Sequence, residues 1–272
     1  MMNLYKIFIF SLLLISCGTE QNEKVQLMTN ESIHKSLLSL QNKKIFFGHQ
    51  SVGVNIIDGL KDVSALYNDV HLNLIAIEGA GPDSNGFFAD SKIGQNTDPA
   101  SKCEAFRNNI EKKFSGKLDI ALMKFCYVDI KAETNVDSVF SNYQSTIESL
   151  KSKYPHITFV HSTIPLTSKP GGIKQVIKSL LGYKSGNDQD NINRTRFNRM
   201  LTDKFKNEPI FDLAAVESTY PDGKRESSER EGRIYYSMIK EYTDDGGHLN
   251  RKGRSLAATA LIKTLSGTAK TE

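Results

Sequence analysis

The sequence predicts a single α/β domain, with a mainly parallel sheet of five strands covered by helices on both faces. Short apolar runs alternate along the chain with longer segments in which apolar residues recur every three or four positions, the pattern of strands joined by amphipathic helices. The chain has 272 residues, 39% of them hydrophobic. That length suffices for one sizeable core and does not require a second domain.

Each element follows from its local pattern. The short apolar runs with the length of buried strands are Lys44 to Phe47, Leu72 to Ile77, Leu118 to Phe125, Ile157 to His161 and Ile210 to Leu213. The segments with helical spacing are Val54 to Tyr67, Glu104 to Phe114, Ser138 to Lys153, Asn191 to Phe205 and Lys252 to Leu265. In this order they predict a flavodoxin-like three-layer α/β/α sandwich. The connections too long for simple turns, which we expect to be functional, are Glu78 to Ser101, Thr163 to Asp190 and Ala214 to Thr243.

The N-terminus has the pattern of an export signal. Lys6 precedes an apolar stretch, Ile7 to Ile15, which is too short to span a bilayer because spanning needs roughly 20 residues. The residues before Cys17 resemble the bacterial lipobox, which implies fatty acylation, including palmitate, at Cys17. We therefore expect a signal peptide over 1–16, an acylated cysteine and flexible tether over 17–30, and the folded domain over 31–272. An ordinary secretion signal with a chance cysteine is the alternative.

Composition and the cysteine, histidine and arginine residues limit which partners, disulfides and metal sites we expect. The net charge of +4 comes from 35 basic and 31 acidic residues without a basic run, so we expect no nucleic-acid partner. Cys103 and Cys126 are either a disulfide, as an extracytoplasmic compartment permits, or two buried free thiols. His49, His161, Asp245 and His248 together lack the short local spacings of zinc motifs, so no metal is expected. No cofactor is expected either. Arg194 and its basic neighbours on a predicted helix suggest a solvated face.

Two segments could carry chemistry. In the first, a predicted strand runs through Gly48-His49-Gln50 into Ser51 at the start of a helix, where backbone amides could stabilise an oxyanion. A plain helix-capping serine is the alternative. In the second, Asp245 stands three residues before His248 on a glycine-containing loop that precedes the last helix. An aspartate so placed can fix the imidazole tautomer and leave the other nitrogen free to accept a proton from a serine.

These parts, in this order, resemble the SGNH or GDSL hydrolase family. Gly48-His49-Gln50-Ser51 stands where the family has its Gly-Asp-Ser motif, with one extra residue, and Asp245-Gly246-Gly247-His248 followed by Asn250 matches its terminal Asp-x-x-His. Arg196 to Leu201 and Ile210 to Leu213 also look like the family's penultimate helix and strand. The resemblance implies that Ser51 attacks an ester carbonyl, that His248 serves as the base and that Asp245 orients His248.

The resemblance also implies an oxyanion hole, which this chain matches incompletely. The family uses the serine amide, a glycine after the second strand and an asparagine after the third. Gly81, with Gly79 close behind, is the candidate glycine, whereas Val128 stands where the asparagine would be. Tyr127, Lys124 and Asn85 are the possible substitutes. His49 either contacts substrate or has a structural role.

The sequence therefore predicts a membrane-anchored, extracytoplasmic serine esterase or deacylase. Its substrate would be a small-molecule or glycan ester, drawn from an exported carbohydrate or a cell-envelope component. Two alternatives stay open: a non-catalytic binding lipoprotein on the same fold, and an O-acyltransferase that uses the same triad.

Overall fold

The computed structural model describes residues 31–79, 82, 85–169 and 186–268. The predicted signal peptide over 1–16, Cys17, the tether and Gly81 lie outside these residues. No helix in the described part of the chain is both long and apolar enough to cross a membrane.

The core is a six-stranded parallel sheet with the order β2-β3-β1-β4-β5-β6. Its strands are β1 Lys44–His49, β2 Leu74–Ala76, β3 Phe87–Lys92, β4 Ile120–Met123, β5 Thr158–Ser162 and β6 Ile210–Phe211. Five of the six confirm predicted strands, with shifted ends. The sixth, β3, lies inside the predicted loop between Glu78 and Ser101. Its run of Phe-Phe-Ala is followed at once by Asp-Ser-Lys, so it lacks the unbroken apolar run of a central strand, although β3 pairs with both β1 and β2.

Helices cover both faces of the sheet. They are α1 over 31–40, α2 Val52–Ser64, α3 Pro99–Asn108, α4 Val136–Lys153, α5 Gly186–Lys204, α6 Leu213–Ser218 and α7 Arg251–Thr268. Successive side chains of β1 point to opposite faces: Ile45 and Phe47 pack with α1, α2, α6 and α7, whereas Phe46 packs with α3, α4 and α5. The predicted three-layer α/β/α architecture is therefore confirmed.

Two predicted features of the connections need correction. The predicted loop from Ala214 to Thr243 contains α6 and a hairpin, β7 Ser227–Arg230 and β8 Arg233–Tyr236. Its two turn residues, Glu231 and Gly232, both have positive φ, as the tight turns favoured in hairpins require. Cys103 and Cys126 are buried free thiols, so the disulfide alternative is wrong.

Candidate active site

Ser51 lies where the chain leaves β1 and enters α2. It occupies the N-cap position of α2, but its side chain makes no capping hydrogen bond. Its backbone has φ 47° and ψ −105°, a conformation that costs energy for a residue with a Cβ. Ser51 Oγ lies 2.5 Å from His248 Nε2 instead. The helix-capping alternative therefore does not account for this serine, whose hydroxyl is turned toward an imidazole from the other end of the chain.

Asp245 holds the other side of that imidazole. Its Oδ2 lies 2.6 Å from His248 Nδ1, and its Oδ1 accepts the backbone N–H groups of Gly247 at 2.9 Å and His248 at 2.8 Å. The donated His248 N–H, followed by that of Gly247 and by the imidazole, lowers the pKa of Asp245 well below its ordinary range, although partial burial opposes this. The aspartate is thus ionised and accepts a hydrogen bond from the Nδ1–H group, which leaves the Nε2 lone pair free to accept the Ser51 hydroxyl proton.

The His248 loop, residues 243–250, is fixed on both sides. Ser168 donates its backbone N–H to the Gly246 carbonyl at 2.9 Å, and Thr243 Oγ1 accepts the Gly246 N–H at 2.9 Å. The Leu249 N–H donates to Asn55 Oδ1 at 3.2 Å. Since Asn55 belongs to α2, the helix that begins after Ser51 also anchors the loop that carries His248.

The loops after β3 and β4 border Ser51, because these two strands flank β1. Gln50 Nε2 donates to the carbonyls of Ile93 at 3.2 Å and Gly94 at 2.9 Å. Gly94 has a positive φ of 53° and lies close to the backbone of α3. Gly79, by contrast, is exposed after the edge strand β2, one strand further from Ser51. Gly94 thus follows a strand adjacent to β1, whereas Gly81 lies outside the described residues and its predicted oxyanion role stays a prediction.

His49 does not line the crevice. Its side chain is 1% exposed, its Nε2 lies 3.0 Å from Asp90 Oδ2, and its ring packs against Gly53. Burial lowers the pKa of His49, which opposes a positive charge there. The structural alternative for His49 is the one that fits, and substrate contact by its side chain is excluded.

Tyr127 lies beside the loop of residues 243–250. Its ring is edge-on to that of His248, with centroids 5.8 Å apart and planes at 76°. Burial, and then the negative charge of Asp245, raise its pKa. A cavity of about 720 Å³ opens next to it; the other lining residues are Thr167, Ser168, Lys169, Lys240, Glu241, Thr243, Asp244, Asp245, Gly246 and Gly247.

The turn after β4 uses its polar groups internally. Asp129 is buried and accepts hydrogen bonds from Lys102 Nζ at 2.5 Å, the Cys126 N–H at 2.6 Å and the Thr97 N–H at 2.8 Å. Lys124, a possible substitute for the missing amide, is 1% exposed, and its Nζ donates to the Phe125 carbonyl at 3.3 Å. Burial lowers the pKa of Lys124. Lys124 therefore offers no accessible donor to a substrate.

Arg194 departs from its predicted place on a solvated face, since it is only 2% exposed. Its neighbour Arg196 is exposed and pairs with Asp137. Among the described residues, no group of three or more histidine, cysteine, aspartate or glutamate side chains could hold a metal ion.

The chain is similar to several solved structures, each at a TM-score below 0.5. A lipase/acylhydrolase from Enterococcus faecalis has a TM-score of 0.49 and 14% identity over 83% of this chain and 96% of its own. A G-D-S-L family protein from Desulfitobacterium hafniense, described as lipolytic, has a TM-score of 0.46 and 10% identity over 82% and 99%. A peptidoglycan O-acetylesterase has a TM-score of 0.45 and 11% identity over 69% and 49%.

The chain is similar in fold to GDSL hydrolases. At these identities the likeness concerns the fold alone. No family model matches the sequence, and no curated protein matches it.

Proposed function

We propose that this protein is a serine ester hydrolase in which Ser51, His248 and Asp245 form the catalytic triad. The observation that carries the proposal is the 2.5 Å approach of Ser51 Oγ to His248 Nε2 from a serine that leaves its own helix uncapped. A serine in a strained backbone conformation, facing a histidine held by an ionised aspartate, is an arrangement that favours nucleophilic attack.

The geometry supports the following steps. Ser51 Oγ attacks the ester carbonyl while its proton moves to His248 Nε2, and the Asp245 carboxylate stabilises the resulting imidazolium. His248 then protonates the departing alkoxide. Water attacks the acyl-serine in the same way and releases the acid. The Ser51 N–H, at the start of α2, is the donor best situated for the oxyanion, because no acceptor among the described residues takes it.

For the substrate, we favour an ester on a carbohydrate or cell-envelope component. The cavity beside the triad is lined mainly by hydroxyl-bearing and charged side chains, with Tyr127 as its aromatic residue. Such a lining suits a polyhydroxylated substrate better than a long acyl chain. The export signal and Cys17 agree with this, since they predict an extracytoplasmic enzyme anchored by an N-terminal lipid.

Labelling with a fluorophosphonate tests the chemistry without knowledge of the natural substrate. We expect the protein lacking residues 1–30 to be labelled at Ser51, as mapped by mass spectrometry, and to hydrolyse a short nitrophenyl ester. Ser51→Ala and His248→Ala should abolish both. Labelling elsewhere, or an equal rate in Ser51→Ala, would refute the triad.

The anchor is tested separately. Cells fed an alkynyl fatty acid should incorporate it into the full chain, and Cys17→Ser should prevent incorporation and release the protein from the membrane fraction.

A non-catalytic binding lipoprotein is the second candidate, and Val128 is the observation that favours it. Val128 offers no side-chain amide to an oxyanion, and loss of one such donor costs about 100- to 1000-fold in turnover. Two results separate the candidates: a binding protein would turn over no ester, and Ser51→Ala would leave its ligand affinity unchanged.

A further inference from the structure

The His248 imidazole needs a lateral support that Asp245 alone does not provide. The His248 side chain is 42% exposed, so few neighbours restrict rotation of the ring. Asp245 fixes the Nδ1 edge but also lies on the same short loop, and it therefore moves with it. Ser168 and Asn55 anchor the loop, but neither contact is with the imidazole, so lateral support for the ring itself must come from another residue.

Tyr127 contacts both the His248 ring and the loop that carries it. Its ring lies edge-on to the imidazole at 5.8 Å, and it also fills the space beside Gly247. A Cβ built on Gly247 would lie 2.8 Å from Tyr127 Cζ and 2.9 Å from its hydroxyl oxygen, so the backbone approaches the ring as closely as glycine permits. Because Gly247 does not have a positive φ, this contact, and not backbone conformation, accounts for glycine at position 247.

Arg194 in turn contacts Tyr127 and restrains it. The guanidinium carbon lies 5.8 Å from the centre of the Tyr127 ring, within range of a cation–π contact. Arg194 Nε donates to the carbonyls of Tyr127 at 2.9 Å and Ile130 at 3.1 Å, and Nη1 donates to Thr167 Oγ1 at 2.9 Å. One buried cation thus joins the turn after β4 to the segment after β5.

We infer that Tyr127, backed by Arg194, is a positioning residue that sets the His248 ring in line with Ser51. The inference rests on the proposed hydrolase function. Tyr127 follows β4, which pairs directly with β1, so the support for the base and the strand that carries the nucleophile belong to the same rigid sheet. The phenol hydroxyl has no part in this role, whereas the ring does.

The first test separates ring from hydroxyl. Tyr127→Phe should be labelled by fluorophosphonate at the wild-type rate. Tyr127→Ala should be labelled about 10- to 100-fold more slowly, since misplacement of a reacting group by about 1 Å costs about 100-fold. For a short nitrophenyl ester, kcat should fall while KM stays nearly constant. Wild-type labelling by Tyr127→Ala would overturn the inference.

Tyr154→Ala is the matched control. Tyr154 is also a partly buried tyrosine that packs against a glycine, Gly116, but it lies at the C-terminal end of α4. Its loss should lower the melting temperature and leave labelling unchanged. If Tyr154→Ala slowed labelling as much as Tyr127→Ala, general destabilisation would explain both effects and the positioning role would be refuted.

A double-mutant cycle tests the contact itself. Gly247→Ala should slow labelling in the wild-type background, because the added methyl group meets the Tyr127 ring. In Tyr127→Ala that methyl group has room, so the additional slowing by Gly247→Ala should largely disappear. Independent, multiplicative effects would contradict the contact. Tyr127→Leu, which keeps apolar bulk, replaces Tyr127→Ala in this cycle if the alanine variant does not fold.

Proton NMR distinguishes failure of this inference from failure of the hydrolase proposal. The hydrogen-bonded Nδ1 proton of His248 should give a downfield signal in the wild type and in Tyr127→Phe, and the signal should be lost or broadened in Tyr127→Ala. If the wild type labels and hydrolyses nothing, the hydrolase proposal fails while this signal still reports on positioning. An unchanged signal in Tyr127→Ala would refute the positioning role alone.

Discussion

The chain segments that follow two neighbouring strands, β1 and β4, use their polar groups in opposite ways. After β1, Ser51 adopts a strained conformation and directs its hydroxyl outward to His248. After β4, Asp129 is buried and binds Lys102 and two backbone N–H groups. The first junction presents a reactive group, and the second stabilises the turn beside it. If Ser51 is the nucleophile that we propose, its activation and the stability of the neighbouring turn therefore depend on different residues and can be altered separately.

The largest expected effect follows removal of the outward-facing group. Ser51→Ala should reduce ester hydrolysis by at least about 10⁴-fold, because the nucleophile of a triad is lost outright. Its stability should change by less than about 1 kcal/mol, since Ser51 neither caps α2 nor fills the core. Ester hydrolysis and chemical denaturation measure the two quantities. Ser39→Ala, which removes an exposed hydroxyl bonded only within α1, is the control and should change neither.

At the second junction, the turn after β4, we expect a large change in stability, the reverse of the Ser51→Ala result. Lys102→Met leaves the Asp129 carboxylate without its cation at a site where both side chains are 0% exposed. Breaking a buried ion pair from one side costs about 3–5 kcal/mol, so the denaturation midpoint should fall sharply. Adding Asp129→Asn should restore part of the loss, because no unpaired charge then remains buried. A single variant as stable as the wild type would show that the pair contributes nothing.

A third change adds a hydrogen-bond donor for an oxyanion to the second junction, the turn after β4. Val128 is partly exposed on the turn that follows β4 and has no hydrogen-bond donor in its side chain. Val128→Asn should raise kcat by about 10-fold or more, since an added oxyanion donor is worth about 100- to 1000-fold when its geometry is ideal. Val128→Leu, which adds no donor, is the control. An unchanged kcat in Val128→Asn would indicate that another group already supplies the donor.

The sequence predicts best those features whose residues lie close together along the chain. Asp245 and His248 are three residues apart, so their hydrogen bond follows from one loop. Ser51 was identifiable because a strand, a glycine and a helix start surround it. The contact of Ser51 with His248 required only the rule that loops at the carboxyl ends of parallel strands meet at one edge of the sheet.

The parts that escaped prediction depend on partners distant in sequence. The strand β3 has few apolar residues and is recognised by its pairing with β1 and β2, and without it Gly94 could not be located. Arg194 looked like part of a solvated face because a guanidinium is rarely fully buried. Its burial depends on acceptors from the turn after β4 and from the segment after β5, which only the folded chain brings together.

A pH-dependent effect is expected in the interior beside the turn after β4, where Glu217 of α6 is 0% exposed. Its Oε2 accepts the Leu166 N–H at 2.6 Å, while its Oε1 has no partner among the described residues. Burial raises the pKa of Glu217 to about 8, against the opposing effects of the Leu166 N–H and the charge of Lys124. At neutral pH the carboxyl is therefore protonated in the folded protein and ionised in the unfolded chain.

The sign of the resulting pH dependence follows directly. Between the ordinary pKa of 4.5 and about 8 the folded state holds a proton that the unfolded state lacks. Stability should therefore fall as pH rises through this window, by up to about 1.4 kcal/mol per pH unit, and should level off above it. Glu217→Gln removes this dependence, so its stability relative to the wild type should increase from pH 5 to pH 8 in urea denaturation. Parallel profiles for the wild type and Glu217→Gln would mean that the Glu217 carboxyl is already ionised in the folded state over this pH range, and would contradict the raised pKa.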